Sequence, residues 1–121
     1  SLDIGDVQHS LAAAVLSCEG GIGVRSGCFC AHTYVKELLR VSPQDARRLE
    51  LEILSRDRSN IPGTLRVSFG LYNTTAEIDR LVAMVARVAA GDYDRGYVLN
   101  REAGEYTHPR LAPDFQQYFR L

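Results

Sequence analysis

The residues best suited to chemistry lie in one short segment, Gly27-Cys28-Phe29-Cys30-Ala31-His32. Its composition predicts a loop, and Arg25 stands just before it. A thiol in such a loop can be exposed, and neighbouring positive charge increases the thiolate fraction of a cysteine. The segment therefore indicates a reactive cysteine at Cys30, although most cysteines in small domains are buried apolar side chains.

The same segment also offers three potential metal ligands, Cys28, Cys30 and His32. Structural zinc sites usually use ligand pairs separated by about two to four residues, and they need a fourth ligand. The observed spacing is tighter, and nothing in the sequence places His9 or His108 nearby. We therefore predict no metal, and a stand-alone metal-binding module remains an alternative.

Arg66 is the second candidate for chemistry because of the pattern around it. Between Thr64 and Tyr72, apolar and other residues alternate, which predicts a strand with one face in the core and Arg66 on the opposite face. The apolar positions are Leu65, Val67, Phe69 and Leu71. A guanidinium on the open face can bind a carboxylate through two hydrogen bonds, whereas the alternative is a solvated or salt-bridged surface arginine.

The first half of the chain contains the elements that would position the cysteine loop. Asp6 is predicted to cap a helix from Val7 to Cys18 that ends at Gly20-Gly21, and Ile22 to Ser26 is predicted as a short strand. After the loop, Thr33 is predicted to cap a short helix. Ser42-Pro43 indicates the start of a surface helix extending to Ser55.

The second half contains the clearest helix signal. Thr74-Thr75-Ala76-Glu77 forms a capping box, which predicts a helix to about Ala90. The expected apolar stripe of this helix consists of Ile78, Leu81, Val82, Val85 and Ala89. Two short segments around Ala103-Gly104 predict a hairpin. At the end of the chain, Phe115, Tyr118 and Phe119 indicate a surface that packs on another domain or subunit.

Length and composition indicate one globular domain of the α+β class. The 121 residues are 45% hydrophobic and 24% charged, and the predicted architecture is a small antiparallel or mixed sheet with helices packed on one face. A net charge of −1 gives no sign of a nucleic-acid-binding protein. The sequence shows no bilayer-spanning or secretory segment, and three cysteines suit a reducing compartment, so we expect a cytoplasmic protein without a membrane partner.

Two segments in order resemble class V aminotransferase-like enzymes, which are fold-type I pyridoxal-phosphate enzymes. Residues 23–32, Gly-Val-Arg-Ser-Gly-Cys-Phe-Cys-Ala-His, are similar to the substrate-site loop of group II cysteine desulfurases and selenocysteine lyases. Residues 65–74, Leu-Arg-Val-Ser-Phe-Gly-Leu-Tyr-Asn-Thr, followed by Glu77-Ile78-Asp79-Arg80-Leu81, resemble the arginine strand and closing helix of that family. With the helix before them, the matches cover roughly residues 6–90.

The resemblance implies a role for each candidate residue. Arg66 would bind the carboxylate of an amino-acid substrate, and Arg25 would line the same site. Cys30 would accept sulfur from a cysteine substrate, become a persulfide and leave alanine. Cys28 stands where a histidine or another polar residue is usual, so the choice between Cys28 and Cys30 depends on alignment register alone.

The resemblance also implies that important parts lie outside this chain. In the family, a large domain holds pyridoxal phosphate on a lysine, and the parents are usually homodimers that can pass sulfur to an acceptor protein. Lys36 is the only lysine here and lacks the cofactor-lysine surroundings, so no cofactor-binding residue is assigned and the isolated chain is predicted to be inactive. Residues 1–91 would form the C-terminal small domain, and residues 92–121 an extension packed on it or on a partner. The alternative is a class V aminotransferase, epimerase or lyase in which the cysteine is incidental.

Overall fold

A computed structural model describes residues 1–110 and shows four helices and two small antiparallel sheets within them. The predicted α+β class is confirmed. In chain order the elements are α1 (His9–Cys18), β1 (Arg25–Gly27), α2 (His32–Leu38), α3 (Pro43–Leu54), β2 (Thr64–Arg66), α4 (Thr75–Ala89), β3 (Val98–Asn100) and β4 (Glu105–Thr107). The predicted packing surface at Phe115, Tyr118 and Phe119 lies outside the described residues.

Helix α1 forms the centre of the core. Its buried side chains Ala12, Val15 and Leu16 pack in one apolar cluster with residues of β2 and α4. The predicted helix is confirmed, but its predicted cap is wrong. Gln8 occupies the N-cap position without a side-chain capping bond, because the chain at Asp6 is still in a turn closed by the Val7 N–H on the Ile4 carbonyl.

The first sheet pairs β1 with β2 in antiparallel register. Arg25 lies opposite Arg66, Ser26 opposite Leu65, and Gly27 opposite Thr64. Leu2 pairs with Leu65 on the other side of β2 through two backbone hydrogen bonds of 2.8 and 2.9 Å. β1 begins later than predicted because the preceding segment is held by helix α1, where the Ile22 N–H donates to the Leu16 carbonyl.

Strand β2 is much shorter than the predicted strand from Thr64 to Tyr72. It ends at Arg66 because β1 and Leu2 supply no partner beyond that point. A turn follows, in which the Gly70 N–H donates to Asn73 Oδ1 at 2.6 Å. As a result Phe69 and Leu71 are exposed, and only Leu65 of the alternating apolar set is fully buried.

Helices α2 and α3 follow the cysteine loop and lie near the surface. α3 starts as predicted, with the Ser42 hydroxyl accepting from the Asp45 N–H at 3.1 Å and Pro43 at the first helical position. The predicted cap of α2 is wrong. Ala31 occupies the N-cap position, and the helix has already begun at His32, one residue before Thr33.

Helix α4 begins with the predicted capping box, formed by Thr74 and Glu77. The Thr74 hydroxyl accepts from the Glu77 N–H, and the Glu77 carboxylate accepts from the Thr74 N–H at 2.7 Å. These bonds hold the pKa of Glu77 below its usual range. The predicted apolar stripe is partly wrong. Leu81 is buried as expected, but Met84 and Val88 complete the inner face, while Ile78, Val82 and Ala89 face outward.

The predicted hairpin is confirmed as β3 and β4, and residues before it are tied to the end of α1. Glu19 accepts hydrogen bonds from the Tyr97 hydroxyl and from the Asp94 N–H, both at 3.1 Å. Burial raises the pKa of the Tyr97 phenol, and the negative charge of Glu19 adds to the effect. The Tyr97 ring packs edge-on against the buried His108 at 4.8 Å. Residues 92–110 thus pack on the same body as α1.

None of the helices in residues 1–110 is long and apolar enough to cross a membrane.

Two leucines of the predicted strand allow a matched test of this fold. We expect Leu65→Ala to lower the free energy of unfolding by about 2–5 kcal/mol, because the Leu65 side chain is 1% exposed. Leu71→Ala should change it by less than about 0.5 kcal/mol, because Leu71 is fully exposed. Urea denaturation of both variants measures the difference. Equal losses of stability in the two variants would contradict the short strand β2 and would support a strand that extends from Thr64 to Tyr72.

Candidate functional site

The cysteine loop is a tight turn held in an uncommon backbone conformation. The Ala31 N–H donates to the Cys28 carbonyl at 2.8 Å, and the two central residues, Phe29 and Cys30, have φ angles of 51° and 63°. Two consecutive positive φ angles are typical of a type I′ turn, which glycine and asparagine usually occupy. Other residues in this conformation cost about 1–3 kcal/mol each and are concentrated at functional sites.

The two cysteines of this turn have opposite environments. Cys28 is buried, with 6% of its surface exposed, and its thiol donates to the Pro62 carbonyl at 2.9 Å. Burial raises the pKa of the Cys28 thiol, and the positive charge of Lys36 acts in the other direction. Cys30 is exposed and free. The turn therefore presents one thiol to solvent and uses the other as an internal anchor.

The loop before β2 supports the turn from behind. Pro62 supplies the acceptor for Cys28, and Gly63 packs directly against Gly27. The same loop is fixed to the start of α1, where His9 Nε2 lies 3.0 Å from the Ile61 carbonyl and Gln8 donates to the Ser59 carbonyl. The cysteine turn thus stands on a second loop that is distant in sequence. Sequence reasoning missed this support, because a Pro-Gly pair indicates a turn but not what packs on it.

Arg25 and Arg66 lie directly opposite each other in the β1–β2 register, so their side chains emerge from the same face of the sheet. The guanidinium carbon of Arg66 lies over the Phe29 ring, 4.8 Å from its centroid. This contact brings Arg66 next to the residue that precedes Cys30. Arg25 and Arg66 thus form the last pair at one end of the first sheet, whereas the turn that carries Cys30 follows Gly27 at the other end. The contact between Arg66 and Phe29 links the two.

The positive charge of the Arg25–Arg66 pair is unbalanced. Within residues 1–110 neither Arg25 nor Arg66 forms an ion pair, and the buried Nε of Arg66 has no hydrogen-bond acceptor there. Like charges directly opposite each other in a sheet are destabilising, and a buried donor without a partner carries a further cost. An anion bound between these arginines would offset their mutual repulsion. A carboxylate suits the fork of guanidinium donors.

Two cavities border the turn. One of about 450 Å³ is lined by Phe29, Ala31, Tyr34 and Leu38 together with Cys28. The other cavity, of about 90 Å³, is lined by residues that include Cys28, His32 and Lys36. A larger cleft of about 590 Å³ lies at the start of α1, and its lining includes none of Cys30, Arg25 and Arg66. The two cavities thus adjoin the cysteine turn on the side of Cys28, and Cys30 lines neither of them.

The metal-binding alternative finds no matching ligand set. Within residues 1–110, no group of three or more His, Cys, Asp or Glu side chains could hold a metal ion. Cys28 and His32 line the same small cavity, but Cys30 does not line it.

The comparison with protein families decides the class. A model described as aminotransferase class-V matches residues 1–81, which contain the cysteine turn, both arginines and the start of α4. The chain belongs to the class V aminotransferase family. The resemblance of residues 23–32 and 65–74 to this family is therefore confirmed.

The relatives of this chain carry names of two kinds, cysteine desulfurase and molybdenum cofactor sulfurase. A probable cysteine desulfurase from Vibrio cholerae is 32% identical over 85 residues, which are 70% of this chain and 16% of that protein. A molybdenum cofactor sulfurase from Anopheles gambiae is 32% identical over 110 residues, 82% of this chain and 14% of that protein. Another from Bombyx mori is 31% identical over 75 residues, 54% of this chain and 9% of that protein. The chain thus spans about one-sixth or less of these relatives. No solved structure matches it.

The contrast between the two thiols gives a direct prediction. With iodoacetamide, we expect Cys30 to be alkylated first and Cys28 last. Cys28 is buried and hydrogen-bonded, and burial raises the pKa of its thiol. Both cysteines lie on the tryptic peptide of residues 26–36, so fragmentation of that peptide by mass spectrometry must assign the label. Cys30→Ser should remove the fast phase. Equal labelling rates at the two positions would contradict the turn described above.

Proposed function

We propose that this chain is the C-terminal small domain of a pyridoxal-phosphate enzyme of the cysteine desulfurase or selenocysteine lyase type. It would supply the arginines that bind the substrate carboxylate and the cysteine that accepts sulfur. The observation that carries the proposal is the contact between Arg66, one of an unbalanced arginine pair, and Phe29, the residue that precedes the exposed Cys30. The Vibrio cholerae relative named a probable cysteine desulfurase supports it.

Cys30 is the nucleophile in this proposal. Its thiolate attacks the sulfur atom of a bound cysteine, and an S–S bond forms while the substrate Cβ–S bond breaks. The electron pair of the broken bond stays with the substrate carbon, which takes up a proton and leaves as alanine. Cys30 is left as a persulfide. Cys28 does not suit this role, because its thiol is buried and donates to the Pro62 carbonyl.

Arg66 orients the substrate in this proposal, with Arg25 as a second positive charge. A bidentate guanidinium–carboxylate pair fixes both position and rotation of an amino acid. The location of the Arg66 guanidinium over the Phe29 ring would place the bound carboxylate next to the cysteine turn. Such positioning lets the thiolate meet a correctly placed sulfur atom.

The pyridoxal phosphate implied by the family does not fit the residues of this chain. Lys36 is the only lysine, and the cavity beside it has about 90 Å³, whereas sites for small molecules usually have about 300–1,000 Å³. In the proposal the cofactor is held by the rest of the parent protein, where it acts as an electron sink for the cleavage. The isolated chain is therefore expected to be inactive.

Several partners follow from the proposal. The parent would contain the cofactor-binding large domain, act as a homodimer and pass the persulfide sulfur to an acceptor protein. We also propose a cytoplasmic location, since the three cysteines are free and a reducing compartment preserves the thiol that the reaction needs.

A second candidate is favoured by the names of the relatives. The Anopheles gambiae and Bombyx mori proteins are molybdenum cofactor sulfurases, so the sulfur acceptor of this protein could be a molybdenum cofactor. A class V aminotransferase, epimerase or lyase without desulfurase chemistry is the further alternative. Product analysis separates them: alanine and sulfide indicate desulfuration, whereas a keto acid or a racemised amino acid indicates the other reactions.

Cys30→Ser provides the central test. After incubation of the full-length protein with cysteine, mass spectrometry should find one added sulfur atom on Cys30, and Cys30→Ser should lose at least about 100-fold in desulfurase kcat. Cys18→Ser, which changes a half-buried thiol in α1, is the matched control and should keep its activity. Full desulfurase activity in Cys30→Ser would refute the proposed nucleophile.

Arg66→Gln tests carboxylate binding. We expect the KM for cysteine to rise by about tenfold or more, because a charge-assisted bidentate bond is lost. Arg47→Gln is the matched control, since Arg47 is an exposed arginine on α3 that lines neither cavity beside the turn. Steady-state kinetics of the full-length protein give both values. An unchanged KM in Arg66→Gln would exclude Arg66 from substrate binding.

A further inference from the structure

We propose that Phe29 is a positioning residue whose ring holds the Arg66 guanidinium beside Cys30. The ring would also leave the N–H edge of that guanidinium open for a carboxylate. This inference rests on the proposed function, because it adds a residue to the same site. Phe29 would touch neither the reacting sulfur nor the carboxylate, and it would act through Arg66.

The stacking geometry explains how a contact can hold Arg66 without blocking it. The guanidinium carbon lies 4.8 Å from the centroid of the Phe29 ring, within the range of a cation–π contact. Such a contact uses the flat face of the guanidinium. Its N–H donors lie in the plane of the group, so they remain available to a ligand at the edge.

The surroundings of Arg66 give it no competing partner. Among the described residues no carboxylate pairs with it, and its buried Nε lacks an acceptor. The Phe29 ring therefore holds Arg66 in place, and no carboxylate of the described residues occupies the N–H donors of its guanidinium. A salt bridge in the same place would compete directly with a substrate carboxylate.

The position of Phe29 in the turn links this arginine to the thiol. Phe29 and Cys30 are the two central residues of the Cys28–Ala31 turn, and both have left-handed backbone angles. The turn is anchored on one side by the Cys28 thiol on Pro62. On the other side, the Phe29 ring contacts Arg66. The side chain next to the nucleophile thus fixes the group that would bind the substrate.

Alkylation rates test this arrangement without any enzyme activity. Iodoacetate carries a carboxylate and iodoacetamide does not, while both react with the same thiolate. The ratio of their rate constants at Cys30 therefore reports a positive charge held near that thiol, and it cancels changes in the thiolate fraction. We expect Phe29→Leu to lower this ratio by about three- to fivefold, as loss of a partly exposed cation–π contact implies.

Three further variants complete the alkylation experiment. Phe29→Tyr keeps an aromatic face and should keep the ratio, whereas Arg66→Gln should lower it at least as far as Phe29→Leu. Phe69→Leu makes the same change at an exposed aromatic residue that lines a different cleft, and it should have no effect. An unchanged ratio in Phe29→Leu, or an equal loss in Phe29→Tyr, would overturn the positioning role.

A measurement on the unaltered chain covers the case in which Phe29→Leu does not fold. The Phe29 ring should shift the NMR signals of the Arg66 side-chain protons upfield, because they lie over its face. Ordinary chemical shifts for these protons would count against the contact and overturn the inference.

Kinetics of the full-length protein separate this inference from the proposed function. Phe29→Leu should raise the KM for cysteine about three- to fivefold and leave kcat within about twofold, and Phe29→Tyr should restore KM. If the alkylation ratio changes as expected but the protein has no desulfurase activity, the positioning role stands and the proposed function fails. If desulfurase activity is present and the ratio does not change, the inference alone is wrong.

Discussion

The antiparallel pairing of β1 with β2 is the constraint on which the rest of the site depends. It involves only three residue pairs, yet it joins two segments that are almost forty positions apart in sequence. The register sets Arg25 opposite Arg66 and brings the cysteine turn alongside the loop that ends in Pro62 and Gly63. A shift by one residue would send one arginine to the opposite face. The pairing therefore determines both the charge and the position of the candidate site.

The apolar core gives this small sheet its support. Leu65 lies in the middle of β2, and it packs with Val15 and Leu16 of α1 and with Val88 of α4. Its backbone is also paired with Leu2 on the side away from β1. Adjacent residues of β2 consequently serve different purposes, since Leu65 fixes the strand to the core while Arg66 emerges at the site. The alternation of side chains in a strand produces this division.

Local signals in the sequence predicted the elements well. The Thr74–Glu77 capping box, the Ser42-Pro43 helix start and the β3–β4 hairpin each depend on residues a few positions apart, and each is present. Where tertiary partners decide the outcome, the predictions were wrong. The alternation after Arg66 does not form a strand because no neighbouring strand pairs there, and α4 turns Met84 and Val88 inward because α1 packs on that side.

The candidate site, too, could be predicted from the sequence only in part. Family resemblance singled out Cys30, Arg25 and Arg66, and in the structure Arg25 lies opposite Arg66 while Arg66 stacks on Phe29, the neighbour of Cys30. The sequence could not distinguish the environments of Cys28 and Cys30, because burial of Cys28 depends on Pro62, more than thirty residues away. Nor could it show the stacking of Phe29 on Arg66. No local pattern encodes a contact between a turn and a distant strand.

Gly63 sets the spacing beneath the turn by having no side chain. A Cβ atom there would lie 2.6 Å from Nε2 of His9 and 2.8 Å from the Cα of Gly27, both closer than real Cβ contacts allow. Even the smallest side chain would therefore force the His9 ring of α1 or the Gly27 backbone of β1 to move. The close approach of helix, strand and loop beneath the cysteine turn thus requires glycine at this one position.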